Sequence, residues 1–103
     1  YNLALPHYKQ ILDSDKKTKG EKSKEYIATL DLIGNIRYLE GNYNEAEKIY
    51  RACLRLHESS TGKSSADYAI NLSNLANVLQ DIGRYSEAKA VYKEALNVYN
   101  QLT

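Results

Sequence analysis

GNYNEAEKIYRACL (residues 41–54) and GRYSEAKAVYKEAL (residues 83–96) begin 42 residues apart in the same chain. Gly, Tyr, Glu, Ala, Tyr and Leu recur in the same order at the same intervals. A shared preference for helix formers would reproduce the composition of such a stretch but not its order, so the two are copies of one structural unit. Laying residues 18–59 on residues 60–101 without a gap gives 11 identities, among them Gly20/Gly62, Ser23/Ser65, Tyr26/Tyr68, Leu30/Leu72 and Asn35/Asn77. Unrelated segments of ordinary composition would share about two or three. Shifted back another 42 residues, Tyr1, Asn2, Ala4, Tyr8 and Leu12 fall on Tyr43, Asn44, Ala46, Tyr50 and Leu54. The chain is therefore expected to open partway through an earlier copy. The absence of Met adds the expectation that these residues belong to a longer protein.

Within each copy the apolar period is helical. Leu72, Leu75, Ala76, Leu79 and Ile82 share one stripe, and Ala88, Val91, Tyr92, Ala95 and Leu96 share another. Two helices per copy follow, and with the closing helix of the earlier copy the chain should be all-α with five helices. The expected division is residues 1–17 for that closing helix, then copies at 18–59 and 60–103, all one continuous array. Ser23 and Ser65 suit the N-cap of the first helix of each pair, with Glu25 and Asp67 favoured in its first turn by the helix dipole. Gly41 and Gly83 suit the left-handed residue that ends it, and Asn44 and Ser86 are the expected caps of the second. Residues 14–22 and 59–63 read as polar connections containing Gly20 and Gly62.

Small residues bracket a Tyr in each second helix: Ala46 and Cys53 around Tyr50, Ala88 and Ala95 around Tyr92. With the paired helices, this pattern resembles the tetratricopeptide repeat, in which small side chains let the helices of a hairpin approach and the Tyr fills the space between them. The usual period is 34 residues; the 42 found here is similar to the longer-helix variety of kinesin light chains. INLSNLANVLQDIGRYSEAKAVYKEAL (residues 70–96) carries the resemblance best, and the likeness extends over essentially the whole chain. It departs from the pattern where Leu30 and Leu72 replace an early Trp, and where no Pro follows the second helix. The first full copy is also less regular than the second: Arg37 stands where Leu79 stands, and Leu32 where Asn74 stands.

Composition narrows the functional classes. At 103 residues the chain holds one modest core, and 43% hydrophobic with 26% charged residues is ordinary for a globular protein. The formal charge of +1 gives no general attraction to nucleic acid or anionic lipid. No apolar run is long enough to span a membrane. Cys53 is the single cysteine, which excludes an internal disulfide and suits a reducing compartment.

Candidate chemistry is sparse. Cys53 and His57 lie four residues apart on one helix face, the spacing of half a metal site or of a thiol–imidazole pair. The plainer reading is packing, since Cys53 aligns with Ala95, His57 with Tyr99, and no third ligand is in register. His7 aligns with Ile49 and Val91 and reads as a packing residue. No phosphate loop, paired catalytic carboxylates or Cys–Cys metal spacing is present, so neither an enzyme nor a cofactor is expected. A basic segment carries Lys16, Lys17, Lys19, Lys22 and Lys24, which could meet an acidic partner. Asp13, Asp15, Glu21 and Glu25 interrupt it, however, and a solvated loop accounts for it as well.

The resemblance itself implies a right-handed superhelical solenoid of antiparallel helix pairs whose first helices line a concave groove for a protein or peptide. Carried onto this sequence, the groove wall is Ala28, Asp31, Asn35 and Tyr38 from one copy and Ile70, Ser73, Asn77 and Gln80 from the next. Asn35 and Asn77 are the groove residues common to both copies, and an amide can both donate to and accept from a peptide backbone. The alternative is that each Asn bonds a neighbouring helix. Asp31 and Asp81 lie near this strip with no Lys or Arg facing it squarely, so a neutral or basic segment is the expected ligand, and Arg37 is the residue that could reverse this. The implied role is a non-catalytic scaffold or adaptor of the kinesin-light-chain kind in the cytoplasm or on the cytoskeleton. It would have further repeats on both sides and no small-molecule substrate, nucleic acid or membrane insertion. Alternatives are a structural part of a large cytoskeletal or ciliary assembly, using loops and convex face, and a regulatory region of a multidomain protein. The last helix is expected to expose Val98, Tyr99 and Leu102.

Overall fold

The computed structural model describes residues 4–18, 20, 24–60 and 65–102, which form five helices: α1 (Ala4–Thr18), α2 (Lys24–Leu39), α3 (Tyr43–Ser59), α4 (Ala66–Asp81) and α5 (Tyr85–Leu102). Lys19, Lys22, Ser23, Gly62 and Lys63 lie outside the described residues, as does the side chain of His7. α1 runs through Thr18, so the polar connection expected from residue 14 begins only after it. Its last turn carries Lys16 and Lys17, where positive charge complements the helix dipole, and Gly20 follows in a left-handed conformation at φ 87°.

The two hairpin turns are built identically. Gly41 and Gly83 have φ of 81° and 87°, a conformation that costs an L side chain roughly 1–2 kcal/mol. Gly41 N–H donates to Tyr38 O at 3.0 Å and Asn42 N–H to Arg37 O at 2.9 Å. Gly83 N–H to Gln80 O at 3.1 Å and Arg84 N–H to Leu79 O at 2.8 Å repeat the pattern. This is the two-bond Schellman closure, which satisfies the last carbonyls of the first helix. The turn then feeds the next helix at once, with Ala46 N–H donating to Asn42 O and Ala88 N–H to Arg84 O. Asn44 and Ser86 are therefore not caps; they fall inside the first turns of α3 and α5. Ser65 does cap α4, its hydroxyl accepting from Tyr68 N–H at 3.1 Å.

Packing is sequential, each helix resting mainly on the next. The larger core joins α3, α4 and α5 through Ala46, Tyr50, Leu72, Leu75, Leu79 and Ala88, and a smaller one places Tyr8, Leu12 and Ile49 against Ile33 and Ile36. Ala46, Cys53, Ala88 and Ala95 are all buried, as small residues at a close helix contact should be. Gly34 of α2 lies tight against α3. A Cβ there would meet Ile49 Cγ2 and Tyr50 Cε1, both at 2.9 Å. Charge ties the copies together outside the core. Arg84 donates to both carboxylate oxygens of Glu47 at 2.9 and 3.0 Å and reaches Glu87 at 2.7 Å, while Arg51 reaches Glu47 at 3.0 Å.

Equivalent residues meet different surroundings. Tyr50, covered by α4, is 1% exposed, whereas its counterpart Tyr92 on α5 is 36% exposed. Tyr85, Leu96, Tyr99 and Leu102 also stand exposed on α5. Val98 does not join them. It is 6% exposed, continuing the Ala88, Val91, Ala95 stripe one turn further into the larger core.

Candidate functional site

α2 and α4 are the first helices of successive copies, and the seam between them is opened by two cavities that follow one another along the helices. The first encloses about 380 Å³. Its apolar wall is Ile27, Ala28 and Leu32 from α2 with Ile70 from α4. Asp31, Asp67 and Asn71 bring polar groups to the same space, His57 reaches it from α3, and Lys24 stands exposed on it. The second cavity, about 350 Å³, is bounded by Asn35, Tyr38 and Leu39 of α2, Tyr50 of α3, and Asn74 and Asn77 of α4.

Of the residues expected from sequence, Asp31 and Ile70 share the first cavity, as does Ala28, and Asn35, Tyr38 and Asn77 share the second. Gln80 lies on a third, of about 340 Å³, with Tyr85, Tyr92 and Leu96. Ser73 borders none of these three. In the basic segment Lys16 and Lys17 are exposed on the last turn of α1. Lys24 opens α2 and borders the same cavity as Asp31, two turns further along the helix, so the seam does carry a cation where none is expected from the sequence.

The amides are already at work between helices. Tyr50 donates its hydroxyl to Asn35 Oδ1 at 2.5 Å, and Tyr92 makes the same bond to Asn77 Oδ1. Across the seam, Tyr38 donates to Asp81 of α4, which holds its phenol up at about 12. Arg37 pairs with Glu40 at 3.3 Å.

Electrostatically the first cavity stands out. Burial pushes the Asp31 carboxyl up to about 6; the Asn74 amide bonded to it opposes this, and the Asp67 charge adds to it. Oδ1 of Asp31 and Nδ2 of Asn71 are buried without a hydrogen-bond partner. His57 is buried with its ring edge-on to Tyr68, centroids 6.4 Å apart, and burial lowers its pKa. Cys53 points its thiol toward Ile27 O at 3.9 Å, and burial pushes its pKa well up. The Cys53–His57 spacing is thus absorbed by packing. Among the described residues no group of three His, Cys, Asp or Glu could hold a metal ion.

Asn71 and Asn74 were missed from sequence, although a signal was there. Asn71, Asn74 and Asn77 recur every third residue in NLSNLAN (residues 71–77), which strings three amides along one side of α4.

The family model for the tetratricopeptide repeat matches residues 25–101, from the first turn of α2 almost to the end of α5. The chain belongs to the tetratricopeptide repeat family. Tetratricopeptide repeats are non-catalytic helical scaffolds that mediate protein–protein interaction, and the five-helix array described above is of that kind. Comparison with curated proteins gives no match. Among the described residues of this tetratricopeptide repeat chain, no helix is long and apolar enough to cross a membrane.

Proposed function

We propose that the chain is a binding adaptor, of the kinesin-light-chain kind, that holds an extended segment of a partner protein along the seam between α2 and α4. The observation that carries this reading is the pairing of two adjacent cavities with polar side chains whose capacity the fold leaves partly unused, at Asp31 and Asn71. Helices pack about 8–10 Å apart and an extended peptide advances about 3.3 Å per residue. Groups on α2 and α4 would therefore meet ligand residues roughly three apart, and one segment would span both copies. Asp31, Asn35, Tyr38, Ile70, Asn74 and Asn77 would line its path.

A second reading, a structural part in a larger assembly, is favoured by a different observation: Tyr85, Tyr92, Leu96 and Tyr99 leave an apolar strip on α5. The two readings are separated by selecting peptides from a display library against the whole chain and measuring their affinity by fluorescence anisotropy. Ala28→Trp adds bulk at an exposed position on the first cavity and should weaken a seam-bound peptide about tenfold or more, equivalent to about 1.4 kcal/mol. Tyr85→Ala with Leu96→Ala on α5, and Lys16→Ala with Lys17→Ala on α1, should leave it unchanged. Loss of binding in either pair, with none in Ala28→Trp, would move the functional surface to α5 or to the basic segment.

A further inference from the structure

In the first α2–α4 cavity, an acceptor and a donor are buried with nothing to bond. Asn71 is 3% exposed, its Nδ2 has no partner, and it shares the cavity with Asp31, whose Oδ1 is likewise unpartnered. Such groups are costly to bury, and a ligand that bonds them recovers that cost. The ligand must therefore bring a donor to Asp31 and an acceptor to Asn71.

Charge and shape narrow its identity. Asp31 and Asp67 place two carboxylates in the cavity against the single ammonium of Lys24, which lies at an exposed position. An acidic side chain would add a third negative charge. A purely apolar one would suit Ile27, Leu32 and Ile70 but leave both polar atoms as they are. A long basic side chain lays its aliphatic stem on the apolar wall and brings a charged donor to Asp31, leaving Asn71 to the backbone of the segment that carries it.

We propose that this cavity is a specificity pocket for an Arg or Lys side chain of the bound segment. The cationic head donates to Asp31 Oδ1, and the segment's backbone carbonyl accepts from Asn71 Nδ2. This rests on the reading of the seam as a peptide groove. The raised pKa of Asp31 fits an ionised carboxylate whose burial is incompletely offset, the situation that a bound cation reverses.

The test is an NMR titration of the isotopically labelled whole chain with blocked arginine (N-acetyl-arginine-N-methylamide) and with the corresponding neutral citrulline compound. The arginine probe should shift the Asn71 side-chain amide signals saturably, and bind roughly tenfold more tightly than citrulline, as a charge-assisted bond should. Asp31→Asn should abolish that preference while leaving the helical circular dichroism unchanged. Equal binding of the two probes, or a preference that survives Asp31→Asn, overturns the pocket. Failure of the groove itself looks different. Library peptides that are blocked by Ala28→Trp but indifferent to their own charge would remove the basic pocket and keep the groove. Peptides indifferent to Ala28→Trp would remove both.

Discussion

Tyr50 of α3 bonds Asn35 of α2, and 42 residues later Tyr92 of α5 bonds Asn77 of α4 in the same way. The bonds match but their surroundings do not, since Tyr50 is fully covered and Tyr92 is open to water. Asn35→Ala strands a buried hydroxyl and should cost about 1–3 kcal/mol; Asn77→Ala lets water replace the lost partner and should cost about 1 kcal/mol or less. Urea denaturation of the two single variants checks this. Equal costs would mean that the Tyr50 hydroxyl finds another partner.

Gly34 sits within a helix, where Gly→Ala ordinarily stabilises by about 1 kcal/mol. Here the added methyl would strike Ile49 and Tyr50, neither of which can swing aside as a flexible chain end would. Gly34→Ala should therefore destabilise, by about 1–3 kcal/mol. A rise in melting temperature would show that α2 and α3 can separate without loss.

Asp31 gives stability a defined pH signature. Its carboxyl titrates near 6 in the folded chain against 3.8 as the ordinary value, chiefly through burial, with Asp67 as the acidic neighbour and the Asn74 amide opposing. Between these values the folded state holds more protons than the unfolded one, so this residue's contribution falls as pH rises through the window. Asp31→Asn should match the parent below about pH 4 and exceed it above about pH 6, by at most about 3 kcal/mol. Denaturation midpoints at pH 4 and pH 8 decide it, and a variant less stable than the parent at pH 8 would show the ionised carboxylate to be well compensated. A variant that gains stability while losing a binding preference would be trading one for the other, as functional sites commonly do.

The architecture was legible because the repeat announces itself: Gly41 and Gly83 mark the turns, and the apolar stripes mark the helices. What escaped depends on which neighbour a face meets. Gly34 aligns with Ala76 and reads as a weak helix former until α3 is seen lying against it. Asn44 and Ser86 have the chemistry of caps, but the Schellman turn starts the next helix before either is reached. Val98 looks like part of an outer stripe and in fact closes the core against α4. At the site, Asp31, Asn35, Asn77 and Ile70 follow from carrying the family's groove onto the first helices, and the structure puts each of them on one of the α2–α4 cavities. Lys24, four residues before Ala28 and seven before Asp31, falls on the same stripe of α2, and was passed over because it closes the run of lysines read as a solvated loop.

Cys53 is fully buried, and burial pushes its thiol pKa up, so almost no thiolate is exposed to reagents. Its reaction with a disulfide reagent such as DTNB should track global unfolding, with a rate that falls in step with added stability. Rapid labelling of the folded chain would show local opening between α2 and α3.

Where a partner segment lies can be read from photo-crosslinking. A photoreactive residue placed at exposed Ile70, beside the first α2–α4 cavity, is compared with the same residue at Lys17 on α1 and at Tyr85 on α5, each incubated with a library-selected peptide. Crosslinking concentrated at position 70, and suppressed there by excess unlabelled peptide, is the result expected of a groove between the first helices. Crosslinking at position 17 or 85 with none at 70 would contradict it and give the function to the basic segment or to the open face of α5.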